Sequence, residues 1–148
     1  MSGEIDLILG KNKTMAMTTI ASDKIEIQKS AEYVFNYLSN LNNLQPLMPE
    51  QVSNWSSTEE ECSFSIKGMA SIGLKVVTKT PHSKINLESA GKSPFAFTLT
   101  VNIESIDDQK CIGQLVFEAE LNMFMKMMVE KPMQNFFNYL AHKFKTIS

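Results

Sequence analysis

Arginine is absent from this 148-residue chain, and lysine supplies all 14 basic side chains. Arginine is the preferred residue for bidentate contacts with phosphate and carboxylate groups, so its absence disfavours nucleotide-clamping and phosphoryl-transfer chemistry. A compositional bias, which also enriches Asn and Ile, is the simpler explanation of that absence. The formal net charge of −2 excludes a strongly electrostatic nucleic-acid binder and a polybasic membrane anchor as leading interpretations. We therefore expect no nucleic-acid partner.

Residues that bind soft metals or form disulfides are also scarce. The chain has two cysteines, Cys62 and Cys111, and two histidines, His82 and His142. Their wide spacing matches no zinc signature, and a single bridge cannot make a disulfide-dense scaffold. Both cysteines alternate in phase with apolar residues, so we expect them to be buried free thiols. We predict no metal site, no cofactor and no catalytic residue.

Long apolar runs and a basic leader are missing as well. No stretch approaches the ~18 consecutive apolar residues that indicate a transmembrane helix. Acidic residues, Glu4 and Asp6, occupy the N-terminus where a secretory signal would be basic. These features predict a cytoplasmic protein with no transmembrane segment.

The length fits one domain. Residues 1–17 join a short apolar stretch to a polar one, which predicts an N-terminal extension of marginal order, with a short added strand as the alternative. Residues 18–148 then form a single domain. Ile25 and Ile27 alternate with polar residues and indicate its first strand. Ser30 stands at an N-cap position, and two short helices are predicted to follow it.

The middle of the chain alternates between apolar and polar side chains. The alternating segments run from Cys62 to Leu121 and are broken by turns at residues 81–82 and 107–108. Pro94 opens the clearest of these segments. Since the connections are short, the pattern predicts an antiparallel meander.

The last segment changes to a helical period. Asn122 is predicted to cap a helix over residues 122–146, about 37 Å long at 1.5 Å per residue. Pro132 is expected to kink or restart this helix, because it removes a backbone hydrogen bond. Five of the ten methionines fall within residues 123–133. Methionine suits irregular apolar surfaces, so the cluster predicts an adaptable ligand pocket, ordinary core packing, or a surface that docks a partner.

Three stretches together resemble the SRPBCC superfamily, the helix-grip proteins that include START lipid-transfer domains, pollen-allergen relatives and polyketide cyclase/dehydrase-like proteins. They are KIEIQKSAEYVFNYLSN at residues 24–40, LQPLMP at 44–49, and the Met- and Phe-rich terminal helix with Lys131 and Pro132. The resemblance covers about residues 20–146. It implies an α+β helix-grip fold, in which a curved antiparallel sheet wraps around a long C-terminal helix and two short helices follow the first strand.

The resemblance also implies an internal cavity between the sheet and the terminal helix, holding an apolar small molecule. Inward strand positions and the apolar side of the helix would line it. The predicted ligand-binding residues are Phe64, Ile66, Leu74, Val76, Phe97, Leu99, Val101, Leu115, Phe117, Met125, Val129, Met133, Phe136 and Leu140.

Few polar or amphipathic residues are candidates for contact with a ligand in this cavity. Tyr33, Tyr37 and Tyr139 either place a hydroxyl inside it or pack as amphipathic core residues, and we favour packing. Trp55 either anchors the second strand or stacks on a ligand, and we again favour packing.

The predicted function is non-catalytic binding or transport of an apolar or amphipathic small molecule, lipid-like or polyketide-like. The alternative is a cyclase- or dehydrase-type enzyme that acts on a hydrophobic substrate in the same cavity. Such chemistry needs a buried acid or base, and the predicted lining contains none. A weak homodimer is a further expectation.

Overall fold

The computed structural model describes residues 15–91 and 93–148, which form eight strands, two α-helices and two short 3₁₀ helices. The strands are β1 (Met15–Ala21), β2 (Ile25–Ile27), β3 (Val52–Ser57), β4 (Glu61–Ile66), β5 (Ser71–Thr80), β6 (Lys84–Ser89), β7 (Thr98–Asp107) and β8 (Lys110–Asn122). The helices are α1 (Ala31–Leu38), a 3₁₀ helix (Leu41–Leu47), α2 (Met123–Lys143) and a final 3₁₀ turn (Phe144–Thr146).

All eight strands belong to one antiparallel sheet. Its order is β1–β8–β7–β6–β5–β4–β3, and β2 also pairs with β8. Strands β3 to β8 therefore form the predicted meander, while the 13-residue β8 is long enough to pair with both N-terminal strands. The predicted α+β arrangement of an antiparallel sheet and a long C-terminal helix is confirmed.

The two short helices follow β2, as the sequence predicts. Ser30 caps α1 by accepting a hydrogen bond from the backbone N–H of Tyr33 at 3.1 Å. Asn40 caps the following 3₁₀ helix in the same way through the N–H of Asn42. Each Asn or Ser oxygen satisfies a donor that would otherwise lack a partner at the helix start.

Period-two alternation sorts the strand side chains between the two faces of the sheet. In β8, every second residue from Cys111 to Leu121 is buried, and the residues between them are more exposed. The prediction that Pro94 opens a strand is wrong by four residues, because β7 begins at Thr98. Phe97 is nevertheless held at the end of β6, since its carbonyl accepts a hydrogen bond from the N–H of Ser89 at 2.9 Å.

Helix α2 begins at the predicted cap. The side chain of Asn122 accepts a hydrogen bond from the N–H of Met125 at 2.8 Å. The helix then runs without interruption to Lys143 with Pro132 inside it, so of the two predicted outcomes, a kink or a restart, the restart does not occur.

Three polar side chains of α2, four residues apart, fasten this helix to the corner between β1 and β2. Gln134 donates to the carbonyl of Ala21 at 2.9 Å, and Asn138 accepts from the N–H of Asp23 at 2.8 Å. His142 Nε2 lies 2.9 Å from Asp23 Oδ2. These three side chains form a clamp between two distant parts of the chain.

The predicted N-terminal extension mostly lies outside the described residues, which begin at residue 15. Met15–Ala21 already belongs to β1, so the last three residues of the predicted extension are part of the sheet. β1 pairs with β8 from Met15 opposite Asn122 to Ala21 opposite Val116.

Candidate binding chamber

The inner face of the sheet, the short helices and the C-terminal half of α2 enclose one apolar chamber. It is lined by eighteen side chains, all of them apolar. They are Leu38, Leu41, Leu44, Met48, Phe64, Ile66, Ile72, Leu74, Leu87, Phe97, Leu99, Val101, Leu115, Met133, Phe136, Phe137, Leu140 and Phe144.

The chamber is almost filled by its own lining. Its free volume is about 30 Å³, enough for one or two water molecules. Sites for small organic ligands occupy about 300–1,000 Å³. The resemblance implies a ligand-sized cavity, and the structure instead has a closed chamber whose side chains must move to admit a ligand.

Ten of the fourteen predicted ligand-binding residues line this chamber. The other four do not, for three different reasons. Phe117 is fully buried but does not border the free space, and its ring lies 5.2 Å from that of Phe97, which does. Val76 precedes a register shift in β5 and is only partly buried. Met125 and Val129 lie in the first half of α2 and pack against the core outside the chamber.

Eight lining residues were missing from the predicted set. Leu38, Leu41, Leu44 and Met48 come from the two short helices and the residue after them, which close one side of the chamber. Phe137 and Phe144 each follow a predicted lining residue by four positions, and that helical spacing was the available signal. Ile72 precedes the predicted Leu74 by two positions, and Leu87 pairs with Leu99 across the sheet.

Aromatic rings form a continuous chain through this interior. Trp55 stacks on Phe64, and Phe64 stacks on Phe136 with the ring centroids 6.1 Å apart. Phe136 meets Phe137 edge-on at 5.4 Å, and Phe137 lies 5.5 Å from Phe117. The series therefore runs from the partly buried indole on β3 to Phe117 on β8.

A surface groove of about 460 Å³ lies directly outside one wall of the chamber. Ile66 and Phe136 line both spaces, so these two side chains form the partition between them. The remaining residues of the groove include polar side chains. They are Pro49, Gln51, Lys67, Gly68, Met69, Pro132, Asn135 and Tyr139.

The tyrosines pack on the outside of the chamber. Tyr33 and Tyr139 are exposed, and their rings lie 4.9 Å and 5.5 Å from the ammonium groups of Lys29 and Lys143. Tyr37 is partly buried against the core. None of the three lines the chamber in the described part of the chain, although Tyr139 lines the groove.

Both cysteines are free and buried, as predicted. Burial raises the pKa of Cys62 from 9.0 to about 12 and also raises the pKa of Cys111. A thiol with a raised pKa stays protonated at neutral pH and is a poor nucleophile. The two cysteines therefore behave as small apolar core residues.

Within residues 15–91 and 93–148, no three His, Cys, Asp or Glu side chains come together in a group that could hold a metal ion. Over the same residues, no helix has the length and apolar character needed to cross a membrane.

Comparison by sequence gives no match, either to a family model or to a curated protein. Comparison by structure gives several. The fold matches norcoclaurine synthase from Thalictrum flavum in complex with dopamine and hydroxybenzaldehyde, with a TM-score of 0.65 at 11% identity, over 99% of this chain and 92% of that one. A START superfamily protein from Mycobacterium smegmatis matches with a TM-score of 0.60 at 11% identity, over 88% and 94%. The Zhui aromatase/cyclase of a Streptomyces species matches with a TM-score of 0.62 at 9% identity, over 86% and 94%.

These identities establish the fold and nothing finer. The protein has the SRPBCC-type helix-grip fold, as the resemblance of the three sequence stretches implies. The structures that share this fold include proteins named as enzymes and a protein named for the START superfamily.

Proposed function

We propose that this protein binds an apolar small molecule with aromatic rings in its chamber and performs no chemistry of its own on it. The observation that carries the proposal is the wall itself, in which all eighteen side chains are apolar and five are phenylalanines. Phenyl rings gain about 0.5–1.5 kcal/mol beyond area burial when they pair with another ring. Of the lipid-like and polyketide-like ligands expected from the resemblance, this wall favours the ring-bearing kind.

Binding requires the lining to yield, because the free volume of about 30 Å³ admits no organic molecule. Met133 and Phe136 are the side chains that we expect to move. Methionine has three rotatable side-chain bonds and adapts to irregular shapes. Phe136 separates the chamber from the groove, so its displacement joins the two spaces. A polar end of the ligand then lies in the groove near Lys67, Asn135 and Tyr139.

One structural neighbour supports the choice of ligand class. The norcoclaurine synthase structure is a complex with dopamine and hydroxybenzaldehyde, both of which carry a benzene ring. A helix-grip protein can therefore hold such molecules. The apolar wall also favours binding over the alternative of cyclase- or dehydrase-type catalysis, since general acid–base chemistry places a titratable group at the reacting atoms.

Several finer points belong to the same proposal. The fourteen predicted ligand-binding residues are proposed contacts, ten of them in the chamber wall. We propose the cytoplasm as the compartment, because two buried free thiols suit a reducing environment. The weak homodimer and the absence of a nucleic-acid partner stay predictions.

The test is a fluorescence titration with N-phenyl-1-naphthylamine, a neutral probe with a phenyl and a naphthyl ring. We expect saturable binding at a single site. Met133→Phe puts another ring into the chamber and should weaken binding, whereas Met127→Phe, on the exposed side of the same helix, should leave it unchanged. Leu99→Phe replaces Met133→Phe if circular dichroism shows that the latter does not fold. Non-saturable binding, or equal effects of the chamber and surface variants, would overturn the proposal.

A further inference from the structure

Four large apolar side chains at the start of α2 are exposed. The exposed fraction is 62% for Met123, 71% for Phe124, 74% for Met127 and 59% for Met128. Residues four apart are neighbours on a helix surface, so Met123 with Met127 and Phe124 with Met128 form two adjacent rows. We refer to these four residues as the methionine patch. Contiguous exposed apolar side chains of this kind mark a docking surface.

The pairing of β1 determines where the undescribed N-terminal residues join the fold. Met15 is the first residue of β1, and its partner on β8 is Asn122, the residue immediately before the patch. The chain therefore enters the described structure beside the start of α2. Six residues of chain can span about 20 Å, whereas the patch extends about 8 Å along the helix axis. Residues 5–9 are thus within reach of all four patch residues.

The chemistry of residues 5–9 matches that of the patch. They read Ile-Asp-Leu-Ile-Leu, so four of the five are large and apolar; Asp6 lies among them and Glu4 directly precedes them. The first turn of α2 contains no acidic residue. The N-terminus of a helix carries a partial positive charge that nearby carboxylates stabilise.

We propose that the methionine patch docks the protein's own N-terminal segment, residues 5–9, with the apolar side chains of the segment covering Met123, Phe124, Met127 and Met128. The carboxylates of Glu4 and Asp6 then lie near the start of α2. The patch residues do not line the chamber, so this proposal and the proposed ligand binding are tested independently.

Methionine oxidation tests the proposal residue by residue, because exposed thioethers react with peroxide faster than covered ones. The full chain is compared with a variant of equal length in which Ile5, Leu7, Ile8 and Leu9 are serine. We expect Met123, Met127 and Met128 to oxidise several-fold faster in the serine variant, as measured by peptide mass spectrometry. Met17 is 61% exposed on β1 and serves as the internal control with an unchanged rate.

A second variant, Lys11→Ser with Lys13→Ser, controls for changes near residues 5–9 that leave the apolar side chains intact, and it should oxidise like the full chain. Equal oxidation rates in the full chain and the apolar-to-serine variant overturn the proposal. In that case, protection that increases with protein concentration indicates a second copy of the chain, and protection by phosphatidylcholine–phosphatidylglycerol vesicles indicates a lipid surface.

Discussion

Trp55 stacks against Phe64, with the ring centroids 5.4 Å apart and the ring planes inclined by 16°. Phe64 lines the chamber, so the indole of Trp55 contacts the chamber wall from outside. Trp55 is also the only tryptophan of the chain. A ligand that displaces Phe64 must therefore change the surroundings of the indole.

We expect the emission of Trp55 to shift in wavelength or intensity when an apolar ligand fills the chamber. Phe64→Leu removes the stacking partner and should abolish most of this change while the ligand still binds. The measurement is a titration with excitation selective for tryptophan, using a ligand that does not absorb there. An unchanged emission spectrum at saturation would show that the ligand lies elsewhere.

Phe136 and Phe137 are adjacent on α2, but only Phe136 also borders the groove. Replacing either with Leu should lower the free energy of unfolding by about 1–2 kcal/mol. Only Phe136→Leu also thins the partition, so it should increase the association rate of N-phenyl-1-naphthylamine more than Phe137→Leu does. Stopped-flow fluorescence measures both rates. Equal rates in the two variants would place the entrance away from Ile66 and Phe136.

The ionisation of Cys62 makes the free energy of unfolding depend on pH in the alkaline range. Burial raises the pKa of Cys62 from 9.0 to about 12 in the folded protein. Below pH 9 both the folded and unfolded states keep the thiol proton, so this cysteine adds no pH dependence. Between pH 9 and about 12 only the unfolded state loses the proton, and stability falls by up to about 1.4 kcal/mol per pH unit.

Urea unfolding from pH 7 upward, in the native chain and in Cys62→Ala, measures this contribution. The free energy of unfolding should decline less steeply above pH 9 in Cys62→Ala, whatever its stability at pH 7. Cys111 is present in both proteins, so its own raised pKa cancels in the comparison. Parallel pH profiles of the two proteins would contradict a raised pKa of Cys62 in the folded state.

The cap of α2 should be measurable by substitution. Asn122→Ala removes the oxygen that accepts from the N–H of Met125 and should cost about 1 kcal/mol of unfolding free energy. Asn122→Asp keeps a cap oxygen and adds a negative charge at the positive end of the helix, so it should retain the stability of the native chain or exceed it. Thermal denaturation at neutral pH compares them. If Asn122→Asp lowers the stability as much as Asn122→Ala does, loss of the cap oxygen is not the cause of the destabilisation.

Gly73 lies where β5 meets the loop after β6. A Cβ at this position would clash with the carbonyl oxygen of Ala90, which belongs to the backbone and cannot rotate away. Gly73→Ala should therefore push the loop outward, break the hydrogen bond from the Ala90 N–H to the Gly73 carbonyl, and cost about 1–3 kcal/mol. Ala70→Ser, just before β5, is the mild control. Chemical denaturation that finds Gly73→Ala as stable as the native chain would contradict this close approach.

Local signals in the sequence were sufficient where a single element determines the outcome. Ser30 and Asn122 were predicted as caps, and each accepts the expected backbone hydrogen bond. Cys62, Phe64 and Ile66 were predicted on one face of a strand, and all three are buried. Each of these outcomes depends on residues within a few positions of one another.

The same local signals could not predict which residues contact each other across the fold. The side chain of Asn138 accepts a hydrogen bond from the N–H of Asp23, 115 residues earlier in the chain, and no local pattern indicates this partner. The near-complete filling of the chamber depends on how Phe137 and Phe144 fit against side chains of the sheet and the short helices, a matter of shape that periodicity does not specify.

If the proposed binding holds, the wall without polar side chains also determines which ligands are selected. A guest that carries a charge or an unmatched donor into this interior gives up its hydration and finds nothing to replace it, a loss of several kcal/mol. The proposed ligands are therefore selected first by how little it costs to dehydrate them, and only then by their shape.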